Sequence, residues 1–552
     1  MPVPEPADQQ IIEATSPPAE EPEGPPNDEG ADPSAPLYPV ATILNDANLR
    51  AGPGTGYAIV AEIKAGQQIF VGTQNPAGDW VQLNMEGPDQ TWIATFLLDL
   101  PAGLNLPIAS DIPPPPPSPT PGDFVVIQEG TTSIPTYPWQ QFTEPAFDEA
   151  TQWTYQRFNR SAYEAGNPQP RPQSYRLVSL ENQWLRLTLL PDLGGRLYQM
   201  IFKPTGSNEL HQNPVIKPSP WGPGEQGNGW VGAAGIEWGL PVAEHGYAWG
   251  ESWGYITDPS PPSGQVTMFD KKQERFHLFV DVGLQPDSAA FSLDFTLDNL
   301  GETPVNANYW TNAMLAPGPA NRVSPDLRFL FPGSQMQVHS TGEEDLPGEG
   351  DLFDWPVYNG RDVSRLGTWC HWLGFFAYPQ AQADWAAVYD TSVNEGVVRI
   401  FPRQQAPGLK GFGLGDIWSG NYTDDDSSYV ELQGGIAPTF GDATHFEPAD
   451  SMQWREIWYP VAGIGGVTAA DANGAAHLTR ESDGLRLRIF STSTRSGEFT
   501  ASNAQGEIIR LVASIDPAHP FDVSLPTNQA PISFQLNATD GSSWRMDNLS
   551  PQ

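Results

Sequence analysis

The 552-residue chain reads as all-β. Three observations predict this. Glycine and proline occupy 54 and 58 positions, so turns punctuate the chain throughout. Nineteen Trp, 16 Tyr and 25 Phe favour pleated, half-buried surfaces. No stretch of helical length carries an amphipathic 3.6-residue pattern. The strand-like runs instead alternate apolar and polar residues and end in turn chemistry, as in "YRLVSLENQWLRLTLL", "RFHLFVDVGL" and "FSLDFTLDNL". A chain of this length divides into several domains, each with its own core.

Residues 1–37 hold nine acids and no Lys or Arg, and are rich in Pro, Ala and Ser. Too little apolar surface exists there to offset chain entropy, which predicts a disordered spacer. Residues 38–100 alternate short β-rich runs with Gly, Pro and Asn clusters, the rhythm of a small barrel. "ASDIPPPPPSPTPG" within 101–122 predicts a stiff polyproline II linker. Residues 123–460 suit two large antiparallel sheets packed face to face. Residues 461–552 contain six or seven short strands, the size of an immunoglobulin-like β-sandwich.

Charge narrows the partners. A net charge of −39 repels phosphate backbones, so nucleic acid is excluded as a partner. No run of 18 apolar residues is present, so no transmembrane helix is expected. There is no signal peptide at Met1, yet the acidic, Pro-rich spacer resembles the stalk of a secreted bacterial protein. The expectation is an extracellular or cell-surface location, with the export signal outside this sequence. Cys370 is the single cysteine, so no intrachain disulfide forms, and its place in "GTWCHWLGFF" predicts a small buried hydrophobe. No Cys/His metal spacing and no cofactor motif occurs. The acidic loops "GEEDLPGEGD" and "TDDDSS" lack the spacing of a calcium loop.

Chemistry concentrates in "AGIEWGLPVAEHGYAWGESW", residues 234–253, which reads as a Gly-rich loop. Trp230, Glu237, Trp238, Glu244, His245, Tyr247, Trp249, Glu251 and Trp253 combine flat aromatic faces with carboxylates and an imidazole. A sugar needs both, the rings for its C–H patches and the polar groups for its hydroxyls. His211, His371 and His445 are further isolated candidates.

Two segments resemble known families. "Asn48-Leu49-Arg50-Ala51-Gly52-Pro53-Gly54", Gly66, "Asp79-Trp80-Val81" and "Trp92-Ile93" are similar to a bacterial SH3 domain, which implies a peptidoglycan contact or a surface spacer. Trp80 and Trp92 are expected in its core. "ENQWLRLTLLPDLGGRLYQMIFKPTGSNEL", "GIEWGLPVAEHGYAWGESWGY" and "YVELQGGIAPTFGDATHFEPADSMQWREIWYP" together resemble galactose mutarotase-like (aldose 1-epimerase-like) domains, in particular an uncharacterised bacterial family. This implies a β-supersandwich. It also implies that His245 binds sugar and that Glu431 is the general base, with Gln433 in the same Glu-x-Gln element. Asn312 stands where the family has its general-acid histidine, and an amide cannot donate that proton. Trp249 replaces an arginine that grips phosphorylated sugars in one branch, which favours a neutral saccharide or polysaccharide.

The leading expectation is a carbohydrate-binding protein, with Glu431, His245, Glu244, Asn312 and Gln433 on sugar hydroxyls and Trp238 and Trp249 as stacking faces. An enzyme is the alternative, either an aldose epimerase or a carbohydrate-cleaving enzyme. Glu431 would then be the base and Glu237 or His245 the acid, Glu237 being kept protonated by burial against Trp238. A third reading is a cell-envelope scaffold without a small ligand.

Overall fold

The computed structural model describes residues 38–44, 47–54, 57, 59–76, 78, 80–83, 91–101, 104–113, 124–219, 230–232, 235–258, 260, 262–272, 275–415 and 423–551. The spacer expected at 1–37, Asp79 and half of the expected Pro-rich linker lie outside them. The chain divides into two compact units, Met1–Pro113 and Pro114–Gln552.

In the first unit, seven short strands between Val40 and Asp99 form one antiparallel sheet. Alternation builds its core from Ile43, Leu49, Val71, Val81 and Ile93. Trp92 is fully buried beside them, and Trp80 is half-buried.

The second unit contains the large double sheet. One sheet has twelve strands and the other eight, and every paired strand runs antiparallel to its neighbour. Their facing sides form one continuous core that includes Leu187, Leu197, Leu278, Val280, Phe295, Leu432 and Trp458. The run "FSLDFTLDN" shows the mechanism: Phe291, Leu293, Phe295 and Leu297 are buried, while the residues between them face outward. Among the described residues, helix is confined to short turns and Arg160–Gly166, which Asn159 caps by accepting from the Ala162 N–H at 2.9 Å. Among the described residues, no helix is long and apolar enough to cross a membrane.

Residues 469–549 form a sandwich of two four-stranded sheets around Leu478, Leu487, Phe499, Leu536 and Trp544. This is one strand more than the upper expectation, because Ala469–Asp471 adds a short edge strand. The sandwich is seated on the double sheet. Phe490 lies 6.1 Å from Phe202 and 6.2 Å from Tyr459, and the Tyr459 hydroxyl donates to the Gly474 carbonyl at 2.8 Å.

An ion pair of the eight-stranded sheet lies in the core beneath the most polar part of the twelve-stranded sheet. Arg399 is fully buried and donates to both oxygens of Glu456, at 2.8 and 2.6 Å. The indoles of Trp454 and Trp458 donate to the same carboxylate at 3.2 and 3.0 Å. The guanidinium lies directly under Gly434, where a Cβ would come within 1.9 Å of it. On the other side of the strand, Gly435 leaves room for the Trp310 ring, which a Cβ would meet at 2.4 Å. The two glycines of "VELQGG" therefore serve opposite faces.

Removing Glu456 strands a buried guanidinium, so Glu456→Ala is expected to cost about 3–5 kcal/mol. Urea denaturation followed by tryptophan fluorescence checks this. A loss comparable to that of an ordinary surface substitution would show that the pair is not carrying this part of the core.

Candidate functional site

The stretch read as a loop contains a strand, Ile236–Gly239, central in the twelve-stranded sheet. It pairs with Trp310–Leu315, which pairs with Val430–Gly435, which pairs with Gly408–Leu414. Register places Glu237, Asn312, Gln433 and Lys410 opposite one another in a single row. The next row along holds Met314, Glu431 and Phe412. With a side-chain period of two, these polar groups share the face turned away from the double-sheet core.

Glu237 is almost fully buried and takes three donors. Arg196 Nη2 donates to Oε2 at 3.2 Å, Asn312 Nδ2 donates to Oε1 at 3.3 Å, and His245 Nδ1 bonds Oε1 closely. His245 arrives from the tight turn after Gly239, where Glu244 and Gly246 both take positive φ. Its ring stacks on Trp230 at 4.2 Å with an 8° tilt. Glu431 accepts from Gln433 Nε2 at 2.6 Å. At the rim, His339 Nε2 lies 3.2 Å from Glu244 Oε1, and the His339 ring packs edge-on against Phe440.

Electrostatics separate the three carboxyl groups. Burial pushes Glu237 up, but His245, Arg196 and Asn312 outweigh it and hold the group below the usual carboxylate range. Burial likewise opposes Glu244, which His339, Lys410 and His245 bring down to about 2. At Glu431 burial prevails over Lys410, His245 and Gln433, and its pKa is raised. Burial alone would lower His245, yet the Glu237 carboxylate, with Glu431 and Glu244 behind it, raises it. Burial lowers Lys410 against the pull of Glu244 and Glu431.

Two acceptors of this row have no hydrogen-bond partner among the described residues. They are Asn312 Oδ1 and Gln433 Oε1, both buried and adjacent in one row. Their amide orientations are fixed because each Nδ2 or Nε2 donates to a glutamate. Unpartnered buried acceptors are costly, so this row is built to receive donors.

A family described as "Domain of unknown function (DUF5107)" matches residues 151–461, more than half of the chain. The chain belongs to that family. The DUF5107 region contains every site residue named above. A TPR-domain containing protein from Parabacteroides distasonis ATCC 8503 shares the fold, at 23% identity and a TM-score of 0.50 over 61% of this chain and 55% of that one. A galactose mutarotase-like protein from Clostridium acetobutylicum is 11% identical, with a TM-score of 0.36, over 52% of this chain and 96% of that one. A Bacillus subtilis (strain 168) protein named "Putative N-acetylmuramoyl-L-alanine amidase" is 36% identical over 59 residues, which are 10% of this chain and 11% of the relative.

The DUF5107 sheet and its adjoining turn place Glu237, Glu244, His245, Asn312, Glu431 and Gln433 near one another. It does not bring Trp238 to them. Trp238 neighbours Glu237 in a strand and so points to the opposite face, where its Nε1 donates to the Gly195 carbonyl at 3.0 Å and its ring meets Phe295 edge-on at 5.8 Å. Trp249 is also buried, packed 6.0 Å from Trp139, and offers no open face. Glu237 is unsuited to be the acid, because three donors stabilise its ionised form.

Glu251 is engaged by Lys272 and Arg275, and Trp253 is fully buried, packed against Gly195. His211 is buried against Ser427 at 2.8 Å, while His445 pairs with Asn306 and Glu447 at the surface. His371 is exposed. Cys370 is exposed, contrary to the expectation, because Trp369 takes the buried position before it. Glu343 of the acidic loop is occupied by the backbone N–H groups of Cys370 and His371 and by Arg361. Among the described residues, no group of three or more His, Cys, Asp or Glu is arranged to hold a metal. Arg196 and Lys410 are site residues that sequence reading missed, although each is a lone cation inside an apolar, Gly-flanked run, "LGGRLY" and "GLKGFG".

A raised histidine pKa contributes stability that is complete below the unfolded value of 6.5 and lost as pH rises through the folded value. His245 is expected to titrate above 6.5 by imidazole NMR, and in Glu237→Gln to titrate lower, as burial then dominates. An unchanged titration in the variant would disprove the coupling.

Proposed function

We propose that the Glu237–Asn312–Gln433–Lys410 row and Glu431 form a saccharide site, and that the chain is a carbohydrate-binding protein. The observation that carries this is the pair of buried, unpartnered acceptors, Asn312 Oδ1 and Gln433 Oε1. Vicinal sugar hydroxyls donate to such a pair and accept from neighbouring cations, which few other small ligands do at once. Three cationic side chains, Arg196, His245 and Lys410, face three carboxyl groups, Glu237, Glu244 and Glu431. A neutral sugar leaves that balance undisturbed, whereas a charged one upsets it in a low-dielectric setting. Stacking comes from the half-buried rings of Phe412 and Phe440, in place of Trp238 and Trp249.

A second reading, anomer interconversion, is favoured by Glu431. Its raised pKa and single hydrogen bond suit a base that takes the proton of an anomeric hydroxyl. The envelope setting is part of the proposal. The acidic Pro-rich spacer, the SH3-like pattern and the short similarity to a wall-amidase relative support a secreted or surface-held protein that contacts peptidoglycan through its first unit.

Calorimetric titration with neutral hexoses and their oligomers is expected to show saturable binding, with Gln433→Leu weakening it about tenfold through one lost hydrogen bond. Absence of binding across neutral saccharides would overturn the reading. Sedimentation of the full chain with insoluble peptidoglycan is expected to deplete it from solution.

A further inference from the structure

The site's polar groups divide into those already committed and those still free. Arg196 is bound to Glu237 and to the Leu193 carbonyl, His245 to Glu237, and Glu244 to His339. Lys410 is different. It is buried, yet no hydrogen bond or ion pair within 4.0 Å reaches its Nζ among the described residues. Its Nζ instead lies 4.5 Å from the Phe440 ring centre and 5.5 Å from that of Phe412. Phe412 is the residue directly opposite Glu431.

Lys410 and Glu431 are diagonal neighbours across one antiparallel pair, a relation that sets their Cβ atoms about 7 Å apart. They attract each other, yet no hydrogen bond or ion pair joins them. Glu431 accepts a single hydrogen bond, from Gln433. A pyranose ring presents its anomeric hydroxyl and its ring oxygen on adjacent atoms. A base and an acid that neighbour each other on one face of the sheet reach both at once.

We propose that Lys410 is the catalytic acid of this site, donating a proton to the ring oxygen of a bound aldose while Glu431 takes the proton of the anomeric hydroxyl. This rests on the saccharide reading above. In the step, the C1 hydroxyl proton passes to Glu431 and its electron pair forms the C1=O bond. The bond from C1 to the ring oxygen breaks, and that oxygen keeps the pair and takes a proton from the Lys410 ammonium. Rotation about C1–C2 turns the aldehyde. In closure the neutral amine removes the proton of the C5 hydroxyl, the oxygen attacks the opposite face, and Glu431 returns its proton to the carbonyl oxygen. No proton or electron is left over. Asn312, which cannot donate a proton to the ring oxygen, keeps a positioning role through Glu237 and through its free acceptor.

The test is polarimetry of freshly dissolved α-D-glucose and α-D-galactose with the full chain, alongside calorimetric binding of the same sugars. The wild type is expected to accelerate interconversion above the spontaneous rate. Lys410→Met is expected to lower that acceleration by at least about 100-fold while changing the dissociation constant far less. Lys410→Arg keeps the charge and guards against misfolding. It is expected to be nearly as slow, because a guanidinium releases its proton too reluctantly. The wild-type rate should fall at alkaline pH as the lysine deprotonates, and this limb should vanish in Lys410→Arg. Retention of rate and of the alkaline limb in Lys410→Arg would overturn the proposal. So would binding without acceleration in the wild type, which leaves the saccharide reading standing. Absence of binding would remove both.

Discussion

A carboxylate deprived of water is tolerated only if donors surround it, and Glu237 is the group on which the polar face depends. Its charge is held by a guanidinium, an imidazole and an amide that come from three different parts of the chain. Each of those partners is fixed in turn. Arg196 is anchored to a backbone carbonyl, His245 is clamped against Trp230, and Asn312 is set by strand register. Leaving any one of them out exposes a buried charge to a poor solvent, with a cost of several kcal/mol. The cluster is therefore rigid where it is most polar.

That rigidity determines which groups remain available for chemistry. Glu237 uses its neighbours to stay ionised, and so cannot give or take a proton near neutrality. Glu431 has one donor and a raised pKa, and Lys410 has none, so these two keep their proton-bearing atoms uncommitted. The free acceptors of Asn312 and Gln433 lie in the row of Lys410, one row from Glu431. The same strands face a dry core on the other side, where Leu432, Trp238 and Ala313 pack, and where Arg399 fits beneath Gly434. One set of strands thus carries a mainly apolar layer and a layer that holds the polar groups, because successive side chains alternate between the two faces.

Much of this was legible in the chain. The alternation in "FSLDFTLDNL" and "RFHLFVDVGL" announces half-buried strands, and the turn residues between runs announce antiparallel connections. Glu237, His245, Glu431 and Gln433 were recognisable as candidates from their residue types and the order of the segments around them. Trp238 was misplaced for a physical reason. Reading 234–253 as a loop suspended the rule of alternation, and once Ile236–Gly239 is a strand, Glu237 and Trp238 cannot share a face. Lys410 escaped notice because a lone lysine in an apolar strand looks like a solvated edge residue, and only strand order puts it beside Gln433.

The sequence by itself determined the all-β class, the turn-rich strands and the supply of aromatic and acidic groups. These follow from local period and composition, which each segment carries without its neighbours. The tertiary structure decided which of those groups meet, which carboxyl group is ionised and which cation is free. Those properties belong to pairs brought together from up to two hundred residues apart. A pKa or an unpartnered oxygen depends on the environment that register and packing create, and no segment contains that alone.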